Sequence, residues 1–302
     1  MKNILNNLIY KFNFLKIYFY GNVVPIMLLF DFTIKTEIEI LQKYNYFMYK
    51  IFDCSIYRMT PTTVSHKKNI IYFANHRTFA DFSIDSLVVD NTGTFISRYM
   101  VALVFPGGNL LQFISNHLEY FNRQQGKTDI NNFENILKRI QETDRNIIIY
   151  PEGTRRHGYD YACDLKKGSI YYSYKNDSPI QFVITYDKDN ICNEKKLIGI
   201  SNLNSFVHYS KVYDQDYEKY KSMEEWYQYI NSEWKMFFNT IYIKKHKVED
   251  AFEKLDPRIV YDDNGKCRPV NKKKLYIARV AVVSISIFCI STLANIITAT
   301  LF

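Results

Sequence analysis

Cysteine is scarce in this sequence and forms no recognisable motif. The five cysteines among 302 residues are odd in number, and no two of them make a Cys-x-x-Cys pair. Histidine-rich tracts are also absent. These absences argue against a disulfide framework and against a zinc site. They predict a protein of a reducing compartment that holds no metal.

Two functional patterns are missing as well. There is no Gly-x-Ser-x-Gly nucleophile motif, which argues against a serine lipase. The formal net charge is +8, which could indicate nucleic-acid binding. However, the aromatic residues lie within apolar runs, and no stripe of arginine and lysine alternates with exposed aromatic rings. This arrangement argues against a nucleic-acid partner. An anionic membrane surface or a phosphorylated, CoA-like substrate accounts better for the positive charge.

The first candidate site lies in residues 75–81, which read Asn-His-Arg-Thr-Phe-Ala-Asp. The apolar run before them, 69–74, predicts a buried strand, so His76 lies at the end of a strand where α/β proteins usually place their chemistry. Asp81 falls in the first turn of the next helix, with Thr78 as a candidate cap. Its carboxylate can fold back, hold one tautomer of the imidazole and stabilise the protonated ring. An incidental surface pair is the alternative interpretation.

A second block follows another apolar run, residues 147–150. Residues 151–156 read Pro-Glu-Gly-Thr-Arg-Arg. A glycine that allows close backbone approach, a hydroxyl and two guanidinium groups after a buried strand predict an anion-binding turn. A surface turn with solvated charges is the alternative.

The two blocks together resemble the glycerolipid acyltransferase family, which includes the lysophosphatidic acid acyltransferases. That family carries an Asn-His-x-x-x-x-Asp block and, later in the chain, a Pro-Glu-Gly-Thr-Arg block, and both are complete here. Between them, Tyr120 and Arg123 match the family's Phe-x-x-Arg, although His117 stands where glycine is usual. Arg98 takes the place of a usual lysine, and Lys167 lies in a Lys-x-Gly turn. The likeness covers roughly residues 65–190.

This resemblance implies an α/β fold with a mixed sheet flanked by helices. It also implies transfer of an acyl chain from acyl-CoA to the free hydroxyl of a lysophospholipid. Lysophosphatidic acid, which gives phosphatidic acid, is the first choice of acceptor because the phosphate-binding arginines are present. Acyl-CoA is then a co-substrate, no cofactor is bound, and the good thiolate leaving group makes a covalent intermediate unnecessary.

Each candidate residue has an expected role in that reaction. His76 is the expected general base and Asp81 its orienting partner. Backbone N–H groups of Gly153 and Thr154 are candidates for stabilising the oxyanion. Arg123 and Arg155 are expected to bind the phosphate of the acceptor. Glu152 is expected to orient the acceptor or Arg155. Arg98 and Lys167 are weaker candidates for contacts with phosphate or CoA.

Three other functions stay open at this stage. The acceptor could be lysocardiolipin or lysophosphatidylinositol, because a phosphate with a bulkier substituent also needs an arginine. A hydrolase could use the same His–Asp pair to activate water. A non-catalytic membrane protein could keep the fold, although retention of His76, Asp81, Glu152 and Arg155 argues against it.

Both ends of the chain predict membrane association. Residues 280–302 carry no charge and are long enough to cross a bilayer core, while lysines 272–274 and Arg279 precede them. The positive-inside rule then places the catalytic domain in the cytosol. The expected membrane is that of the endoplasmic reticulum. A buried core helix is the alternative. Residues 17–34 lack a signal-peptide cleavage site and predict a membrane-embedded or interfacial pair of helices broken near Pro25, with a true span as the alternative.

These patterns divide the chain into four parts. We predict N-terminal membrane-associated helices over 1–50, a catalytic domain over 51–210, a helical extension and linker over 211–271, and a transmembrane anchor over 275–302. In the extension, large apolar residues recur every four positions and predict a helix that packs against the catalytic domain. They are Trp226, Ile230, Trp234 and Phe238.

Overall fold

The fold was analysed in a computed structural model that describes residues 2–59, 61–121, 123–124, 127–128, 130–143, 145–244, 252–257 and 268–301. The described helices are α1 (Lys2–Leu29), α2 (Glu37–Phe52), α3 (Asp81–Val88), α4 (Tyr99–Val104), α5 (Pro106–Ser115), α6 (Ile130–Glu142), α7 (Lys167–Lys175), α8 (Met223–Lys244) and α9 (Lys272–Leu301). The described strands are β1 (Cys54–Met59), β2 (Ile71–Ala74), β3 (Gly93–Arg98), β4 (Leu118–Phe121), β5 (Arg123–Gln124), β6 (Lys127–Thr128), β7 (Asn146–Ile149), β8 (Ile180–Tyr186), β9 (Leu203–Tyr213) and β10 (Phe252–Lys254).

Eight of these strands form one mixed sheet in the order β10-β1-β9-β8-β2-β7-β3-β4. Strand β2 pairs in parallel with both β7 and β8, and β3 pairs in parallel with β7 and β4. Strands β8 and β9 are antiparallel, as are β1 and β10. The predicted α/β fold with a mixed sheet is therefore confirmed. Because β2 and β7 are parallel neighbours, the two sequence blocks that follow them meet at one edge of the sheet.

Helices cover both faces of the sheet, which explains why its central strands are continuous apolar runs. Successive side chains of a strand point to opposite faces, so β2 contributes to two separate cores. Tyr72 packs in the core that also contains residues of α1, α2 and α3. Phe73 packs in the other core, with residues of α6, α7 and α8.

Helix α8 confirms the four-residue apolar stripe of the sequence. Trp226, Ile230, Trp234 and Phe238 are all fully buried in the second core. The Trp234 ring meets Phe182 of β8 edge-on, with 5.4 Å between the ring centroids. The stripe therefore joins α8 to the central sheet as predicted.

We expect Trp234→Ala to lower the free energy of unfolding by about 3–5 kcal/mol, because it removes a fully buried ring and leaves a cavity. Urea denaturation of the detergent-solubilised protein, followed by circular dichroism, measures this change. Met236→Ala is the matched control, since this side chain on the same helix is 59% exposed and should change stability by no more than about 0.5 kcal/mol. Equal stability of the two variants would contradict the packing role of the stripe.

The first helix ends later in the chain than the sequence predicted. Helix α1 continues through Pro25 to Leu29, so the predicted break near Pro25 is wrong. Gly107 of α5 lies against the backbone of Gly21 and Asn22, and its N–H donates to the Asn22 side chain at 2.8 Å. This packing holds the α1 backbone just before the proline. The chain turns only afterwards, before α2.

The turn between α1 and α2 is built by side chains that bond to the backbone. The Asp31 carboxylate accepts hydrogen bonds from the backbone N–H and the hydroxyl of Thr33. Thr36 then caps α2 by accepting a hydrogen bond from the Glu39 N–H at 3.3 Å, and Glu39 accepts one from the Lys35 N–H. These side-chain bonds around the N-cap residue Thr36 fix where the second helix begins.

Within the described chain, residues Ile4–Leu29 are long and apolar enough to cross a membrane. One side of α1 packs against α2 and the sheet core, whereas its outer side exposes large apolar residues such as Leu8 and Phe12. Residues 272–301 form a helix, α9, that is anchored to α1 by a 2.6 Å hydrogen bond from Arg279 Nε to the Leu29 carbonyl. Most side chains beyond residue 287 lie outside the described part, so the C-terminal membrane span stays a prediction.

Candidate active site

The first block lies where the sequence predicted it, at the carboxyl end of β2. Asn75 fixes this position, because its side chain donates to the Thr185 carbonyl and accepts from the Thr185 N–H, both at 3.0 Å. These two bonds fasten the end of β2 to the end of β8. His76 follows directly and lies at the edge of the sheet, with its side chain 16% exposed.

His76 and Asp81 form the expected pair. His76 Nδ1 lies 2.6 Å from Asp81 Oδ2. The same oxygen accepts the backbone N–H groups of Arg77 at 2.7 Å and Thr78 at 3.1 Å, which turns the carboxylate back toward the imidazole. Asp81 is the first residue of α3, as predicted. With Nδ1–H donating to this carboxylate, Nε2 carries the lone pair that a general base needs.

Thr78 does not cap α3. The helix begins after Ala80, which makes no side-chain capping bond. The Thr78 hydroxyl instead donates to the Cys192 carbonyl at 2.6 Å and accepts from the Cys192 N–H at 3.2 Å. It therefore ties the loop after β2 to the segment after β8.

The surroundings of the pair keep the imidazole neutral and the carboxylate charged. Burial lowers the pKa of His76, although the hydrogen bond and charge of Asp81 act in the opposite direction. Burial opposes ionisation of Asp81, but the nearby Lys188 ammonium and His76 outweigh it and hold the pKa of Asp81 below its ordinary value. The Tyr150 ring stacks on the imidazole with 4.1 Å between centroids. At neutral pH the pair is thus a neutral base beside a carboxylate.

The second block folds directly against the first. The backbone N–H of Arg156 donates to the His76 carbonyl at 2.9 Å, and the buried Glu152 accepts the His76 N–H at 3.4 Å. Burial raises the pKa of Glu152 to about 7, while the charge of Arg77 opposes this rise. Glu152 therefore lies beside the His76–Asp81 pair.

The turn at Gly153 bears on the expected source of oxyanion stabilisation. Gly153 has a φ of +75°, a left-handed backbone conformation that favours glycine. Its N–H donates to the Tyr150 carbonyl at 3.0 Å and closes the turn, so this donor is already paired and its role toward the oxyanion stays a prediction. The Thr154 N–H has no hydrogen-bond partner in the described chain and remains the candidate donor.

Arg155 is already paired with an acid that the sequence analysis did not single out. Arg155 Nη1 lies 2.7 Å from Glu194 Oε1, and His157 Nε2 lies 3.1 Å from the same oxygen. Burial opposes ionisation of Glu194, but His157 and Arg155 lower its pKa to about 2. The Arg155 guanidinium also lies 5.8 Å from the Phe79 ring. An incoming phosphate would therefore meet Arg155 in competition with Glu194.

The other basic candidates have different positions. Arg98 Nη2 donates to the Gly153 carbonyl at 2.9 Å, so it braces the second block. Lys167 pairs with Glu224 at 2.7 Å on the exposed surface, away from the catalytic pair. Arg123 lies in β5, just beyond the sheet strand β4, and its side chain is outside the described part. Among the described residues, no group of three or more His, Cys, Asp or Glu side chains could hold a metal ion.

Comparisons with known proteins find a matching family and a similar fold. Residues 56–185 match the family described as Acyltransferase. The fold is similar to the crystal structure of PlsC, the 1-acyl-sn-glycerophosphate (LPA) acyltransferase of Thermotoga maritima, with a TM-score of 0.61 and 19% sequence identity. That similarity covers 82% of this chain and 100% of the PlsC chain. No curated protein matches the sequence. Both complete motifs lie within the residues that match the Acyltransferase family, and the chain shares the fold of PlsC. These findings support an O-acyltransferase that is similar to the glycerolipid acyltransferases.

Proposed function

We propose that this enzyme transfers a fatty acyl chain from acyl-CoA to the free hydroxyl of a lysophospholipid, with lysophosphatidic acid as the preferred acceptor. The observation that carries the proposal is the convergence of the two blocks. A His76–Asp81 pair with a 2.6 Å contact lies directly beside the turn that contains Glu152 and Arg155. The name of the structurally similar PlsC supports the choice of acceptor.

In the proposed reaction, Nε2 of His76 removes the proton of the acceptor hydroxyl while the hydroxyl oxygen attacks the thioester carbonyl. The new C–O bond gives a tetrahedral intermediate, and in this proposal the Thr154 N–H stabilises its oxyanion. The C–S bond then breaks, and the CoA thiolate takes the proton from His76. The products are the acylated phospholipid and free CoA, and the enzyme returns to its starting protonation state. Asp81 stabilises the imidazolium between the two proton transfers.

A panel of lysophospholipids tests this proposal. The purified enzyme is incubated with labelled acyl-CoA and, in turn, lysophosphatidic acid, lysophosphatidylinositol and lysocardiolipin, or with no acceptor. We expect the highest kcat/KM with lysophosphatidic acid. Preference for another lysolipid would change the acceptor, release of free fatty acid without an acceptor would indicate a hydrolase, and no product at all would support a non-catalytic protein.

We also propose that the protein is bound to the cytosolic face of the endoplasmic reticulum membrane. The exposed apolar side of α1 supports a direct attachment, because large residues such as Phe12 and Leu15 are more than 60% exposed. The uncharged segment over residues 280–302 supports a second attachment, with the basic residues before it on the cytosolic side.

We expect the protein to stay with membranes through carbonate extraction, and we expect removal of residues 280–302 to weaken this attachment without abolishing it. Immunoblotting of the pellet and supernatant measures the distribution. Full solubility of the shortened protein would contradict the attachment through α1. Protection of the catalytic domain from protease in sealed microsomes would contradict the cytosolic orientation.

A further inference from the structure

A lysine and a second aspartate lie behind the catalytic pair, on the side away from His76. Lys188 follows β8, and Asp85 lies one helical turn after Asp81 on α3. Lys188 Nζ is 2.7 and 2.8 Å from the two carboxylate oxygens of Asp85 and 3.1 Å from Asp81 Oδ1. The Lys188 and Asp85 side chains are fully buried, and that of Asp81 nearly so.

The two oxygens of Asp81 have separate partners in this arrangement. Oδ2 faces His76 and the backbone N–H groups of the preceding loop, whereas Oδ1 faces Lys188. The ion pair at Oδ1 and the hydrogen bonds at Oδ2 together oppose rotation of the carboxylate away from the imidazole. Lys188 is in turn held by both oxygens of Asp85, so its position does not depend on Asp81 alone.

Charge gives Lys188 a second effect on the pair. Burying an unpaired charge in the protein interior costs free energy, so buried charged side chains are usually paired with an opposite charge. Lys188 supplies the buried positive charge that allows Asp81 to stay ionised. The same positive charge makes protonation of the nearby His76 less favourable. Lys188 therefore acts on both members of the pair from a fully buried position.

We propose that Lys188 and Asp85 are positioning residues of the catalytic pair: Lys188 fixes the outer oxygen of Asp81, and Asp85 fixes Lys188. This inference rests on the proposed function, because it concerns the base of that reaction. Lys188 is 107 residues from Asp81 in the chain and reaches it because β8 is the direct neighbour of β2 in the sheet. Its role is to orient the carboxylate and to set the proton affinity of the base.

The charged and titratable groups around His76 come from three elements, and each must be considered in a pH experiment. They are Asp81 from α3, Tyr150, Glu152 and Arg155 from the segment after β7, and Lys188 from the segment after β8. Asp85 of α3 acts through Lys188, to which both of its carboxylate oxygens are bonded. Removal of the Lys188 charge leaves the Asp81 carboxylate beside the imidazole with no positive charge at its other oxygen. The protonated form of His76 then becomes more favourable, so its pKa should rise.

The test measures kcat, KM for lysophosphatidic acid and the pH dependence of kcat/KM. In Lys188→Met, we expect kcat to fall about tenfold or more, KM to stay within about twofold, and the acid limb to move up by about one pH unit. The shift is upward because a higher pKa of the base requires a higher pH to deprotonate it. NMR of protein with isotope-labelled histidine follows the same titration directly, and the signal missing from His76→Ala identifies His76.

Two further variants control this experiment. The single variant Lys188→Met leaves the buried Asp85 carboxylate unpaired, which can prevent folding. The double variant Lys188→Met/Asp85→Leu removes both members of the buried pair and is used if the single variant does not fold. We expect a reduced kcat and a smaller upward shift in it. Lys211→Met is the matched surface control, with a lysine side chain that is 65% exposed, and should leave the pH profile unchanged.

The outcomes separate this inference from the proposed function. An inactive His76→Ala enzyme, together with Lys188 variants that shift the acid limb and lower kcat, supports both. If His76→Ala is inactive but the folded Lys188 variants keep the wild-type kcat and pH profile, the positioning role is overturned while the proposed function stands. If His76→Ala transfers acyl chains normally, both are overturned.

Discussion

The His76→Ala enzyme is expected to lose acyl transfer by a factor of about 10²–10⁴ or more, while it still folds and accumulates in membranes. The reason is the position of the imidazole at the end of β2, with Nδ1 held by Asp81 and Nε2 left as the base. The side chain lies at the partly exposed edge of the sheet, so truncation removes chemistry more than packing. Single-turnover assays with labelled acyl-CoA measure the loss.

A second histidine–aspartate pair provides the matched control. His66 Nε2 lies 3.4 Å from Asp90 Oδ2, and the His66 side chain is 47% exposed. His66→Ala should therefore keep nearly normal turnover. Asp81→Asn should give a loss equal to or smaller than that of His76→Ala, because the imidazole remains but its tautomer and orientation are disturbed. Near wild-type turnover of a folded His76→Ala protein would end the proposed mechanism.

Arg155→Ala is expected to raise KM for the phosphorylated lysolipid by about 10–100-fold, with a smaller change in KM for acyl-CoA. A guanidinium can bind phosphate at two points in a partly buried site, and its loss leaves the phosphate incompletely paired. Arg155→Lys should not restore binding fully, because a point charge cannot reproduce that planar fork. Arg123→Ala should act in the same direction. Initial rates over a range of lysolipid and acyl-CoA concentrations measure both KM values.

Two neighbouring variants make the Arg155 experiment specific. Glu194→Gln keeps Arg155 but removes the carboxylate that binds it at 2.7 Å, so KM for the lysolipid should fall as the guanidinium becomes available. Arg156→Ala controls for loss of an adjacent positive charge, because the Arg156 guanidinium packs on Tyr159 at 4.7 Å. If both Arg123→Ala and Arg155→Ala keep a normal lysolipid KM but lose acyl-CoA affinity, the phosphate they bind belongs to CoA.

Local sequence patterns predicted the parts of the site that are local in the chain. The apolar runs before residues 75 and 151 predicted strands β2 and β7, and the five-residue spacing placed Asp81 where it folds back onto His76. The apolar repeat of α8 predicted a buried stripe for the same reason. In each case the residues that decide the structure lie within a few positions of one another, so periodicity and spacing contain the information.

The parts that the sequence did not reveal depend on contacts between distant segments. Lys188 and Glu194 reach the site only because β8 is inserted beside β2, and no spacing in the chain indicates this. Pro25 illustrates the same limit, because packing of Gly107 on the α1 backbone outweighs the local preference for a break. The use of the Gly153 N–H within its own turn also depends on the folded backbone.

The most direct measurement compares free CoA released with phospholipid formed by the purified enzyme, with and without lysophosphatidic acid. If His76 activates the acceptor hydroxyl, one CoA is released for each phosphatidic acid formed, and His76→Ala abolishes both. Without an acceptor, CoA release should be negligible, because no hydroxyl is available to attack the thioester. CoA release that is independent of the acceptor, or undiminished transfer by a folded His76→Ala enzyme, would contradict the central claim.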